Sequence, residues 1–120
     1  MIDKTMVSRA VISKIQDDSK PDKILAKHIK EYDTPEKLAF KGQKDGYIPD
    51  IVAFFKTEAN VYEIELEKEI SIEKWHLFDV YAKKYNGRFY IVVPDSLKEA
   101  IKKLIKEKEI HAGLIYFKTE

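Results

Sequence analysis

Two short segments place acidic side chains in apolar surroundings: Ile48-Pro49-Asp50-Ile51-Val52-Ala53 and Tyr62-Glu63-Ile64-Glu65-Leu66. Each reads as a β-strand, and the connector between them is short enough for a hairpin. Carboxylates are costly to withdraw from water unless a cation or hydrogen-bond donors compensate them. If the two strands pair side by side, Asp50 and Glu63 come close together. Like charges held close repel, unless a hard divalent ion sits between them, and oxygen ligands are what Mg²⁺ selects. Paired carboxylates of this kind suit metal-assisted hydrolysis of a phosphodiester.

The elements that must position these residues follow from patterning. Strands are expected at 47–55 and 61–67, joined by 56–60, with a shorter strand at 37–41 and a turn at Gly42-Gln43-Lys44-Asp45-Gly46. Three such strands make an antiparallel meander. Upstream, Ile2, Met6, Val7, Ala10, Val11 and Ile15 form one helical stripe over 1–19, although 7–15 also suits a strand. After Lys20-Pro21-Asp22, the spacing of Ile24, Leu25, His28 and Tyr32 predicts a second helix over 22–32.

Downstream, Ser71 is a suitable helix cap. Ile72, Trp75, Phe78, Ala82 and Tyr85 recur behind it at helical spacing, and Asn86-Gly87 closes the helix. Trp75, Phe78 and Tyr81 are expected in the core rather than on a base-stacking surface. A strand over 88–93 ends at Pro94. Ser96 then caps a helix striped by Leu97, Ala100, Ile101, Leu104 and Ile105, and a last strand covers 114–117. The fold class is therefore α/β (α+β). A mixed central sheet, flanked by helices, continues from an antiparallel start into helix-linked strands.

Composition narrows the classes of function. The chain has 120 residues, 36% charged and 44% apolar, which suits one domain over 1–120 with a heavily charged surface. There is no cysteine, which removes disulfides and thiolate zinc sites. No run of apolar residues is long enough for a transmembrane helix, and the first ten residues hold no leader-like apolar stretch. A cytoplasmic setting without a membrane partner is expected. The net charge is only +1, so contact with a polyanion requires a local basic patch. No glycine-rich phosphate loop, no G-x-S-x-G elbow and no cysteine nucleophile is present.

Pro49-Asp50, a hairpin, Glu63-x-Glu65 and a following helix resemble the PD-(D/E)xK nuclease superfamily, with its restriction-endonuclease-like or Holliday-junction-resolvase-like fold. The resemblance covers roughly residues 22–117. Lys74-Trp75-His76-Leu77-Phe78, Tyr81-Ala82 and Gly87-Arg88-Phe89-Tyr90-Ile91-Val92-Val93-Pro94 also look like small members of that superfamily. It implies an α-β-β-β-α-β core, here with an extra C-terminal helix and strand, and Mg²⁺- or Mn²⁺-dependent hydrolysis of nucleic acid, DNA foremost. Asp50, Glu63 and the backbone carbonyl of Ile64 would hold the metal. Glu65 stands where the family carries a lysine, so it would position or deprotonate the attacking water, and Lys74 would supply the positive charge toward the phosphate. A homodimer fits the need to cut two strands.

Competing readings stay open. Glu63, Glu65 and Glu67 alternate with Tyr62, Ile64 and Leu66, which also describes a strand with a solvated acidic face. The glutamate at the lysine position also suits a catalytically silent nucleic-acid-binding or regulatory module. A plain protein-interaction domain is a third reading. Glu31 is a candidate for an additional helix-borne carboxylate at the metal. His28 is expected on a helix face, His76 and His111 lack metal-ligand spacing, and Lys37, Lys41 and Lys44 suit either phosphate contacts or a solvated loop.

Overall fold

The computed structural model describes residues 2–119. Helix α1 (Lys4–Ser19) begins where the Asp3 side chain accepts a hydrogen bond from the Met6 N–H at 2.9 Å. That bond satisfies one of the first-turn donors that a helix leaves open. The helix ends at Lys20, whose left-handed φ of 46° turns the chain into Pro21. Of the two readings of 7–15, helix is therefore the observed one.

The stretch 22–32 is not a helix. It forms strand β1 (Lys23–Ala26), antiparallel to β2 (Ile51–Phe55), followed by a tight loop. Helical spacing of Ile24, Leu25 and His28 is overridden by a ready edge of β2. The strand alternates instead, burying Ile24 and Ala26 toward α1. The loop returns on itself, with the Ala26 N–H bonded to the Asp33 carbonyl at 2.9 Å and the Tyr32 N–H to the Ile29 carbonyl at 3.1 Å. The strand expected at 37–41 shrinks to a single bridge between Leu38 and Tyr47.

Strand β2 meets β3 (Glu58–Ile64) through a two-residue turn at Lys56 and Thr57, so the connector is shorter than 56–60 and β3 starts earlier. Helix α2 (Ile72–Lys84) starts at Ser71, whose hydroxyl accepts from the Lys74 N–H at 3.2 Å. Its end is tight. Asn86 adopts φ 58°, the Gly87 N–H returns to the Ala82 carbonyl, and a Cβ at Gly87 would lie 1.8 Å from the Ala59 carbonyl oxygen. Only glycine lets that turn press against β3.

Strand β4 (Phe89–Pro94) runs parallel to β3. A 3-10 turn at Asp95–Leu97 leads into α3 (Lys98–Glu107), and Ser96 makes no capping bond. Strand β5 (Ala112–Phe117), longer than the expected 114–117, is parallel to β4.

The result is a five-stranded mixed sheet in the order β1-β2-β3-β4-β5. Parallel pairing needs crossover elements, and α2 and α3 provide them. Both cover one face, over a core of Val61, Trp75, Phe78, Phe89, Ile91 and Val93. Helix α1 covers the other face, over Ile24, Ile51, Ala53, Tyr62 and Ile64. The mixed sheet with flanking helices is the architecture expected from the sequence. Trp75 and Phe78 are fully buried as expected, and Tyr81 is half-buried.

Candidate functional site: a compensated carboxylate cluster

The register of the β2–β3 hairpin pairs Ile51 with Tyr62. One step further, beyond the start of β2, Asp50 stands beside Glu63. The Asp50 N–H donates to Glu63 Oε1 at 3.0 Å, and the Ile64 N–H donates to Asp50 Oδ2 at 2.8 Å. The second bond has a simple origin. Strand β3 outruns β2 here, and the Asp50 carboxylate takes the place of the missing strand partner. Ile64, expected to contribute its carbonyl, is thus tied to the site through its N–H. Glu65 follows directly after β3, its N–H held by the Val92 carbonyl at 2.9 Å.

All three carboxylates are withdrawn from solvent: Asp50 is 0% exposed, Glu63 2% and Glu65 6%. The solvated acidic face is thereby excluded for Glu63 and Glu65, whereas Glu67 is exposed. Burial on this scale demands counter-charges, and two lysines supply them. Lys74, in the first turn of α2, lies 2.8 Å from Glu63 Oε2 and 3.0 Å from Glu65 Oε2. Lys4, the first residue of α1, lies 3.0 Å from Asp50 Oδ2 and 3.9 Å from Glu63 Oε2. Trp75 adds a neutral donor, its indole N–H bonded to Glu65 Oε2 at 2.8 Å. Lys74 was thus legible as the lysine that leans into the cluster, while Lys68, in the segment between β3 and α2, is exposed.

Two members were not anticipated. His28 Nε2 sits 2.7 Å from Asp50 Oδ1, carried there by the loop after β1. Read as part of a helix, His28 had no reason to reach Asp50. The signal was the Pro21 break followed by Ile24-Leu25-Ala26, a short apolar run that suits a strand. Lys4 gave no such signal, because its role depends on where α1 crosses the sheet. Glu31, in contrast, is not at the cluster; it is exposed and pairs with Arg9 at 3.0 Å. His76 is exposed, and His111 pairs with Asp79 at the other end of the parallel strands. Lys37, Lys41 and Lys44 are exposed in the loop leading to β2.

The electrostatics divide the two paired carboxylates. Burial pushes the Asp50 carboxyl upward, but the Lys4 charge, the Ile64 N–H and the Lys4 and His28 hydrogen bonds outweigh it and hold it below the usual range. Burial and the Asp50 charge push Glu63 up to about 7, against the pull of Lys74 and Lys4. Lys74 is itself disfavoured by burial, but Glu63 and Glu65 raise it above the ordinary lysine value. Asp50 therefore holds the settled negative charge, and Glu63 is the member of the pair that gains or loses a proton near neutrality.

The donor chemistry suits a hard divalent ion: carboxylate oxygens from Asp50 and Glu63, with further oxygens available from water. Among the described residues, no set of three or more His, Cys, Asp and Glu side chains is arranged to hold an ion. The ammonium groups of Lys4 and Lys74 already lie against the oxygens. An apolar groove of about 560 Å³ between α1 and the β3–β5 part of the sheet is lined by residues such as Met6, Tyr62, Tyr90 and Phe117 and lies apart from the carboxylates. Set against protein-family models, curated proteins and solved structures, the chain matches none.

Proposed function

We propose that the chain is a metal-dependent nuclease of the PD-(D/E)xK kind, built on a restriction-endonuclease-like core and hydrolysing nucleic-acid phosphodiester bonds. One observation carries the reading. Asp50, Glu63, Glu65 and Lys74, from three separate elements, converge on one buried point where β2 begins and β3 ends. The element order α-β-β-β-α-β supports it. No helix among the described residues is long and apolar enough to cross a membrane.

Asp50, Glu63 and the Ile64 carbonyl are the groups that would hold Mg²⁺ or Mn²⁺. Such an ion, when bound, supplies charge for the non-bridging phosphate oxygen and lowers the pKa of water. The chain's own residues do the rest. Trp75 and Lys74 both hold Glu65 Oε2, which fixes the carboxylate and leaves Oε1 to orient the attacking water or accept its proton. The Lys74 ammonium, kept charged by its two carboxylates, donates to the phosphate. His28 fixes Asp50 from the open side of the cluster. With all three carboxylates ionised against two ammonium groups, the cluster carries a net negative charge. That negative charge favours uptake of a divalent cation.

A second reading has its own observation. The buried carboxylates are already paired with Lys4 and Lys74, and Glu65 replaces the usual lysine. A silent nucleic-acid-binding or regulatory module would look the same. Cleavage assays on duplex, single-stranded and branched DNA and on RNA, with Mg²⁺ and Mn²⁺, separate the two. Cleavage by the wild type that disappears in Asp50→Asn is the expected result. Nucleic-acid binding with neither cleavage nor Mn²⁺ binding would establish the silent module instead.

A further inference from the structure

We infer that Lys4 is a resident counter-ion of the Asp50–Glu63 pair, and that a divalent cation binds this pair only by displacing it. The inference rests on the metal-binding reading above and adds a regulatory element to it: α1 holds the place of the ion.

The geometry is specific. The Lys4 ammonium lies 3.0 Å and 3.3 Å from the two oxygens of Asp50 and 3.9 Å from Glu63 Oε2. It is the described cation within 4 Å of both carboxylates of the pair. A divalent ion shared by Asp50 and Glu63 must enter the volume this ammonium fills. Two cations in a site withdrawn from water repel strongly, because little solvent screens them. One of them has to leave.

The structure also indicates which lysine moves. The Lys4 side chain is 32% exposed and that of Lys74 15%. Lys74 is held between Glu63 and Glu65, on a helix rooted by the buried Trp75 and Phe78. Lys4 is the first residue of its helix, at a turn secured by one capping bond from Asp3. The helix is anchored further on, through Val7, Val11, Ile12 and Ile15. A rotation about the lysine side-chain bonds carries the ammonium into water without unseating the helix, since a long aliphatic stem lets the charged end reach solvent. His28 stays on Asp50 Oδ1.

Two measurements test this. In the first, Mn²⁺ affinity is measured by calorimetry for the wild type, Lys4→Met and Lys4→Gln. Removal of the competing charge should tighten binding by about tenfold or more in at least one variant. The second uses the wild type alone and does not depend on a variant folding. Acylation of amines by an N-hydroxysuccinimide ester is followed by mass spectrometry with and without Mg²⁺. Lys4 should react slowly in chelator and several-fold faster with Mg²⁺, while the exposed Lys14 keeps one rate. Mn²⁺ binding that is equal or weaker in both variants, with Lys4 acylation indifferent to Mg²⁺, would overturn the displacement and leave the metal reading standing. Absence of Mn²⁺ binding in the wild type and both variants would overturn the two together.

Discussion

Asp50 and Glu63 look equivalent in the sequence, but they differ in their partners. Asp50 accepts from Lys4, His28 and the Ile64 N–H, whereas Glu63 is buried beside the charge of Asp50. The two substitutions should therefore have opposite effects on stability at alkaline pH. Asp50→Asn replaces the charge with more hydrogen-bond donors and leaves Lys4 and the Ile64 N–H with less compensation, a cost of about 1–3 kcal/mol. Glu63→Gln removes a buried charge that the fold resists, and should raise the melting temperature at pH 8. Denaturation of both variants at that pH checks the ranking; a stabilised Asp50→Asn would mean that repulsion, not pairing, dominates at Asp50. Both variants should lose cleavage. Much of this site was legible from residue types alone: Asp50, Glu63, Glu65 and Lys74 do converge. His28 and Lys4 were not legible, because each reaches Asp50 through the path of an element that residue type does not specify.

At the scale of elements, the misread stretch is instructive. Ile24, Leu25, His28 and Tyr32 satisfy helical spacing, yet the chain pairs Lys23–Ala26 with β2. Local spacing cannot weigh an available sheet edge, where four residues gain ladder hydrogen bonds to β2 and a buried face for Ile24 and Ala26. Helix α2 was legible because local and tertiary signals agree: the Ser71 cap, the Trp75–Phe78–Ala82 face and the Asn86-Gly87 ending. It also carries two chemically distinct neighbours into the cluster, and they can be tested apart. Trp75→Ala should cost about 3–5 kcal/mol through the cavity it leaves. Trp75→Phe retains most of the volume but removes one of the two donors on Glu65 Oε2, and should cost less while disturbing cleavage more than a melting temperature would suggest. Lys74→Ala should cut cleavage on the order of a hundredfold, as loss of a charge-stabilising donor does elsewhere. Mn²⁺ affinity should not weaken, since the ammonium is not an ion ligand. Glu65→Lys alone would place an ammonium against Lys74 and leave the Trp75 N–H without its acceptor, so it should destabilise. Combining it with Lys74→Glu restores an opposite pair, and a positive coupling in the double-mutant cycle is the expected outcome.

The whole molecule is held together at the cluster by charges from both sides of the sheet, Lys4 from α1 and Lys74 from α2. Global stability should therefore report on the cluster's protonation, and the signs can be worked out. Glu63 has a folded pKa of about 7 against an ordinary 4.5, so its contribution is fully present below 4.5 and is lost as pH rises through 7. Asp50 is held below its ordinary 3.8, so its contribution is present above 3.8 and is lost as pH falls through its lower folded value. Lys74 lies above 10.5 in the fold, and its contribution persists until strongly alkaline pH. In chelator, the melting temperature should peak between about pH 4 and 5 and decline toward pH 8. Glu63→Gln should flatten that decline. Added Mg²⁺ should reverse it, because an ion that binds the folded chain alone stabilises it by mass action, and it binds the ionised form of Glu63. The Mg²⁺ effect should therefore be large at pH 8, small at pH 5.5 and absent from Glu63→Gln at either pH. A wild-type melting temperature that rises from pH 5 to 8 in chelator would show that Glu63 is ionised throughout and that Lys4 and Lys74 outweigh its burial. The site would then be a settled ion network rather than one poised to take up a cation.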